Sequence, residues 1–221
     1  MVVSSQDPAR ELLLRAIAAA GGAENLQRHS VFAWHGDGAV HAAGGQVIKI
    51  AGEWRVEPPD RAVVSTYVVE QGAGSSRSMG IDNGRGWWRI AGVEQPMDAV
   101  TLAHERDQFY LYHVLRLVPL LDPSYTLTTI PPDADGRPGL RVERVGRRNV
   151  DVYFDSGGRV ARLATTVVHP GLKTDVPEEL RLTGSIEAGG IKWPQRIEIH
   201  QRGALFFELD LSNFRILPKF E

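Results

Sequence analysis

What most constrains this chain is one uninterrupted helical segment set between two long stretches of strand-like alternation. From Asp98 to about Leu117 there is no Gly or Pro, and apolar residues recur with the helical period before Pro119 ends the run. On either side the period is 2. Upstream, Val31–His41, Gln46–Val56, Arg61–Glu70, Ser78–Asp82 and Gly86–Ala91 are short, half-polar and rich in β-branched residues, with Asn83-Gly84 as a tight turn. Downstream, strands are expected over Tyr125–Ile130, Leu140–Val145, Asn149–Phe154, Val160–Val168, Glu179–Glu187, Ile191–Gln201 and Leu205–Asn213, joined by Gly-containing turns. There is no alternation of strand and helix, which argues against a parallel sheet. The fold class is α+β and mainly β: one large antiparallel sheet of about ten to twelve strands. It is curled as a half-open barrel with helices on its concave side.

The ends of the chain fit the same plan. A first helix is expected over residues 7–20, with Asp7 as cap, Pro8 in the first turn and Gly21-Gly22 as the stop. A short helical turn through Ala23–Gln27 follows. No repeat and no linker divides the 221 residues, so residues 1–221 are read as one half-barrel domain.

Placed on a helical wheel, the central segment is apolar on two opposite sides. Leu102, Phe109 and Leu117 share one sector, and Leu111, Val114, Leu115 and Val118 face the other way. Only a thin strip of Glu105, Gln108, Tyr112 and Arg116 is polar. Such a helix belongs inside the curl, about residues 98–117, not on its outer surface. Arg106, Tyr110 and His113 fall within the first apolar sector. There Arg106 requires a strand carboxylate or a ligand headgroup, and His113 a backbone carbonyl or the same ligand.

Composition narrows the function classes. Charged residues divide into 25 basic and 27 acidic, a net charge of −2, so nothing marks a nucleic-acid surface. Cysteine is absent, which removes disulfides, thiolate catalysis and cysteine-bound zinc. No run reaches the roughly 18 apolar residues of a membrane-spanning helix. The segment from Met1 to Pro8 has neither the basic nor the apolar part of a signal peptide and is read as lacking one.

Motifs with chemical meaning are few. No nucleophile elbow, phosphate loop, dinucleotide fingerprint or His-Glu-x-x-His motif is present. His35, Asp37 and His41 share a strand face, but the two histidines lie roughly 20 Å apart at extended rise, too far for one ion. Asp133-Ala134-Asp135-Gly136 opens like a calcium loop but has its Gly too early, and reads as a hairpin turn. The loop from Gly72 to Arg77 precedes a strand, without the helix N-terminus that phosphate binding uses. No catalytic set, metal site or cofactor is expected, and the protein is read as not an enzyme.

The order of these signals resembles the bacterial lipoprotein-sorting carrier superfamily, the LolA-like half-barrel proteins. The matching stretches are the opening helix with Gly21-Gly22-Ala23-Glu24-Asn25-Leu26, then Gly84-Arg85-Gly86-Trp87 closing a hairpin. They continue with the central helix ending at Pro119-Leu120-Leu121, the Val150–Phe154 strand with Gly157-Gly158, and Ile191-Lys192-Trp193-Pro194. The resemblance implies a half-barrel that binds lipid or acyl chains between sheet and helices in the periplasm or another extracytoplasmic space. The expected function is a carrier or binding protein for a lipid, lipoprotein acyl chain or similar apolar ligand, with transient membrane or envelope-protein contact. The alternative is a filled half-barrel serving as a protein-interaction domain in an envelope assembly. By facing pattern the cavity residues are Trp34, Trp54, Trp88, Phe109 and Leu117, with Arg106, Tyr110 and His113 as a polar spot within it.

Overall fold

The computed structural model describes residues 7–220. Its upstream strands are β1 (Val31–His41), β2 (Val47–Glu57), β3 (Arg61–Val68), β4 (Arg77–Asp82), β5 (Arg85–Ile90) and β6 (Val93–Pro96). Downstream come β7 (Thr126–Ile130), β8 (Gly139–Glu143), β9 (Val150–Phe154), β10 (Val160–His169), β11 (Thr174–Thr183), β12 (Ile186–Ala188), β13 (Ile191–Trp193), β14 (Arg196–Gln201) and β15 (Ala204–Leu217). Thirteen of these form one sheet in the order β6-β5-β4-β3-β2-β1-β15-β14-β11-β10-β9-β8-β7, while β12 and β13 make a separate hairpin. Every pairing is antiparallel. Two meanders thus meet where the first long strand pairs with the last, Val31 opposite Leu217.

The sheet curls strongly. The β2–β3 and β8–β9 turns are seven strand positions apart, about 33 Å in a flat sheet. Yet Arg147 in one turn forms an ion pair with Asp60 in the other at 3.2 Å. A bulge contributes to the curl where β15 faces β1. Asn213 adopts φ 51° and the register slips by one residue between Ala33 and His35. The inward series therefore passes from Leu209 and Leu211 to Phe214, all buried.

Helix α1 (Pro8–Ala19) begins at Asp7, whose Oδ1 accepts the Ala9 N–H at 3.0 Å. It buries Leu12, Leu13, Ala16 and Ile17 and packs near the edge strand β7 and its neighbour β8. Gly21 then turns the chain with φ 123°, and a Cβ there would lie 2.1 Å from the Gly190 carbonyl oxygen. That close approach lets the Lys192 N–H donate to the Ala20 carbonyl at 2.9 Å, tying the β12–β13 hairpin to α1. Helix α2 (Ala23–Arg28) has its last carbonyls closed from elsewhere. The buried Arg116 donates to the carbonyls of Leu26 and His29 at 3.2 and 3.0 Å.

Helix α3 (Ala99–Leu115) lies on the concave side, against β10 of one half and β4 of the other. Asp98 caps it by accepting the N–H groups of Val100 and Thr101 at 2.9 and 3.0 Å. Phe109 through Val118 are buried without a break. The helix ends in a tight γ-turn, in which the Val118 N–H donates to the Arg116 carbonyl at 2.6 Å across Leu117, at φ 59° and ψ −48°. Leu117 is 1% exposed, so packing holds a backbone geometry that is otherwise costly, and Pro119 blocks any return to helix.

Candidate functional site

A single row of large side chains runs across the concave face of five strands. Trp34 of β1 stands opposite Trp54 of β2, Trp54 opposite Val64 of β3, Val64 opposite Met79 of β4, and Met79 opposite Trp88 of β5. Burial decreases along the row, from 0% exposure at Trp34 through 6–9% in the middle to a half-buried Trp88. Beside it Gly36 and Gly52 face each other, and the side chains of Trp54 and Leu209 lie over Gly36. A Cβ on Gly36 would stand 2.8 Å from Cζ3 of Trp54, so the glycine gives the indole room to lie along the sheet.

Between this row and α3 is a cavity of about 230 Å³. Trp54, Val64, Met79 and Trp88 form one wall, Ile199 and Phe207 of the downstream half the other, and Phe109 and Tyr112 the roof. The polar residues of this cavity come mainly from α3 and β11. Inward-facing positions of β11 read Val176, Glu178, Leu180 and Leu182, all buried. Glu178 is 2% exposed and accepts hydrogen bonds from Gln108 Nε2 at 2.6 Å and Gln201 Nε2 at 2.8 Å. Burial raises its pKa above the ordinary carboxylate range, against the pull of the two amides. Glu105, three residues before Gln108 on α3, also lines the cavity. It keeps some accessibility as a residue, yet its carboxyl is enclosed enough for desolvation, reinforced by Glu178, to raise its pKa to about 7. Burial pushes the Tyr112 hydroxyl well above its usual value. His104 Nδ1–H donates to the Val168 carbonyl at 2.8 Å, and burial lowers its pKa. Exposed Arg77 stands at the rim.

Of the residues singled out from sequence, Trp54, Trp88 and Phe109 lie on this cavity wall. Trp34 does not reach it. It is packed below, 5.5 Å from Tyr112 and 6.3 Å from Trp193 between ring centroids. Leu117 is carried away by the γ-turn and lines a separate cleft of about 60 Å³ with Trp193 and Lys192. Arg106 is half-buried outside the cavity, and the strand carboxylate expected for it is absent: no hydrogen bond or ion pair engages it among the described residues. Tyr110 and His113 point away from the cavity toward the two clasped turns. Arg144 Nη1 donates to the Tyr125 hydroxyl at 3.0 Å, Tyr125 donates to His113 Nε2 at 2.9 Å, and His113 Nδ1–H faces the Pro58 carbonyl at 3.4 Å. Burial, helped by three nearby arginines, lowers the His113 pKa to about 4. Arg147 lies 5.2 Å over the Tyr110 ring. The expected polar spot is therefore not assembled: Tyr110 and His113 serve the clasped turns, and Arg106 lies apart from both.

The strip residues Glu105, Gln108 and Tyr112 do face the cavity, together with His104, Glu178, Thr66 and Ser78, and Arg77 at its rim. The histidines His35 and His41 pair instead with Glu53 and Glu208, each at 3.0 Å. Asp133 closes a hairpin turn by accepting the N–H groups of Asp135 and Arg137.

No protein-family description and no curated protein sequence matches this chain. Solved structures do. A DUF1329 family protein from Desulfovibrio piger superposes with a TM-score of 0.60 at 11% identity, covering 98% of this chain and 96% of that one. A LolA superfamily protein from Nitrosomonas europaea gives 0.59 at 14% identity, covering 95% and 94%. A putative outer membrane lipoprotein-sorting protein domain from Vibrio parahaemolyticus gives 0.55 at 9% identity, covering 96% and 93%. At these identities the likeness speaks to architecture. The chain has the LolA-like half-barrel fold.

Proposed function

We propose that this protein is a non-enzymatic carrier or binding protein that takes the apolar chain of a lipid or acylated ligand into the cavity under α3. The observation that carries this reading is the Trp54–Val64–Met79–Trp88 row, left open to a cavity where a packed interior would close over it. Binding would follow from moving methylenes out of water, about 0.8 kcal/mol for each CH₂ buried. At about 230 Å³ the cavity is smaller than the roughly 300–1,000 Å³ usual for drug-sized ligands, so it suits one chain or the end of one. An outer-membrane lipoprotein-sorting domain among the proteins of similar fold supports an extracytoplasmic setting and a lipid or lipoprotein as partner.

The test pairs two substitutions with a fluorescent fatty-acyl probe. Thr66 lines the cavity beside the tryptophan row, so Thr66→Trp fills it at an overpacking cost of about 1–3 kcal/mol, which a domain of ordinary stability survives. Saturable probe binding by the wild type, weakened at least about tenfold in the folded Thr66→Trp protein, is the expected outcome. Trp88→Ala should weaken binding too, while costing less stability than truncation of a fully buried indole. Absence of saturable binding by the wild type, with no lipid in organic extracts of natively purified protein, would refute the carrier and favour the interaction-domain alternative.

A further inference from the structure

The polar chemistry inside the cavity is acidic, and nothing among the described residues neutralises it. Glu178 is held by two amide N–H donors, which spread its charge without cancelling it. Glu105 faces the same space, and among the described residues no hydrogen bond or ion pair engages it. Burial raises its pKa and the like charge of Glu178 adds to the rise, with no basic group among the described residues offsetting them. His104 spends its Nδ1–H on the Val168 carbonyl, and Arg77 is exposed at the rim. Burial of a carboxylate without a donor is costly, and an apolar enclosure makes it more so. A ligand that brings its own cationic donor would relieve that cost, while one that brings an anion would add to it.

We propose that the chain taken up in this cavity carries a primary ammonium group, which seats against Glu105 with Glu178 and its two glutamine partners behind. The proposal rests on the carrier reading and names the headgroup that reading leaves open. Specificity then comes from the helix: Phe109 and the tryptophan row accept any alkyl chain, and Glu105 selects the head.

Three ligands of equal chain length separate head from tail: octylamine, octanol and octanoate, titrated at pH 8 with probe displacement as the readout. Octylamine is expected to bind at least about tenfold more tightly than octanol, and octanoate more weakly than either. Glu105→Gln keeps shape and removes charge, and should bring octylamine to within about twofold of octanol. Equal binding of all three by the wild type would overturn the headgroup proposal and leave the carrier standing. Binding of none would overturn both. The wild-type ranking keeps the proposal falsifiable even if the variant fails to fold. Two sources share this chemistry, an amino-headgroup lipid and an acylated peptide with a free amine. Phosphatidylethanolamine vesicles and a palmitoylated peptide with a free N-terminus are the competing arms, and displacement of octylamine by either supports the proposal and assigns the source. Displacement by neither would overturn it.

Discussion

Trp34→Ala is expected to destabilise the protein by about 3–5 kcal/mol, the range for truncating a fully buried aromatic side chain. Trp34 is 0% exposed and begins the cross-strand row, and its ring packs edge-on to Tyr112 of α3 and beside Trp193 of the β13 strand. Removing it takes support from sheet, helix and hairpin together. Its indole N–H has no hydrogen-bond partner among the described residues, so the cost is that of packing. In urea denaturation the midpoint should fall sharply with the slope unchanged. A midpoint equal to that of the wild type would remove Trp34 from the core.

Glu105→Gln should make the protein more stable than the wild type at high pH and equally stable at low pH. The native pKa of Glu105 is about 7 against an ordinary 4.5, so the folded state holds this proton more tightly than the unfolded chain. Its contribution is therefore fully present below about pH 4.5 and is lost as pH rises through 7. Glutamine does not ionise and loses nothing. The gap between variant and wild type should open across that interval and reach roughly 1–3 kcal/mol by pH 8, allowing for the partial accessibility of the residue. His113 acts in the opposite sense. Its pKa, depressed to about 4 from 6.5, removes stability as pH falls through that range. It does so in both proteins and cancels in the difference. A gap that does not change with pH would contradict the burial of Glu105.

Much of this architecture is legible in the sequence because period-2 alternation and Gly-rich turns are local signals. The buried helix was legible for the same reason, its apolar residues lying on two opposite sides. Boundaries were less so. Val93–Pro96 ends in proline and is exposed throughout, so β6 carries no alternation to read. Gly184 and Pro194 interrupt what alternation suggests are continuous strands, splitting off the β12–β13 hairpin. Asn213 inserts the bulge that reverses inward and outward positions in β15, which no periodic pattern anticipates. The site was half legible. Facing pattern placed Trp54, Trp88 and Phe109, because one strand face or helix sector suffices to define a wall. It misplaced Leu117, since the wheel assumes a helix that the γ-turn has already ended. Glu178 carried a usable signal: Val176, Glu178, Leu180 and Leu182 alternate, so its side chain had to point inward. That Glu105 meets it depends on how α3 rotates within the curl, which is settled by packing against β4 and β10.

The central claim, an alkyl chain held between α3 and the tryptophan row, is tested most directly by the indole N–H signals of nitrogen-15-labelled protein during titration with octylamine. Trp54 and Trp88 line the cavity, whereas Trp87 lies on the opposite face of β5 with Arg89 stacked 4.9 Å over its ring. The account predicts saturable shifts at Trp54 and Trp88 with one common dissociation constant, and none at Trp87. Unmoved Trp54 and Trp88 signals, or shifts shared equally by Trp87, would contradict it.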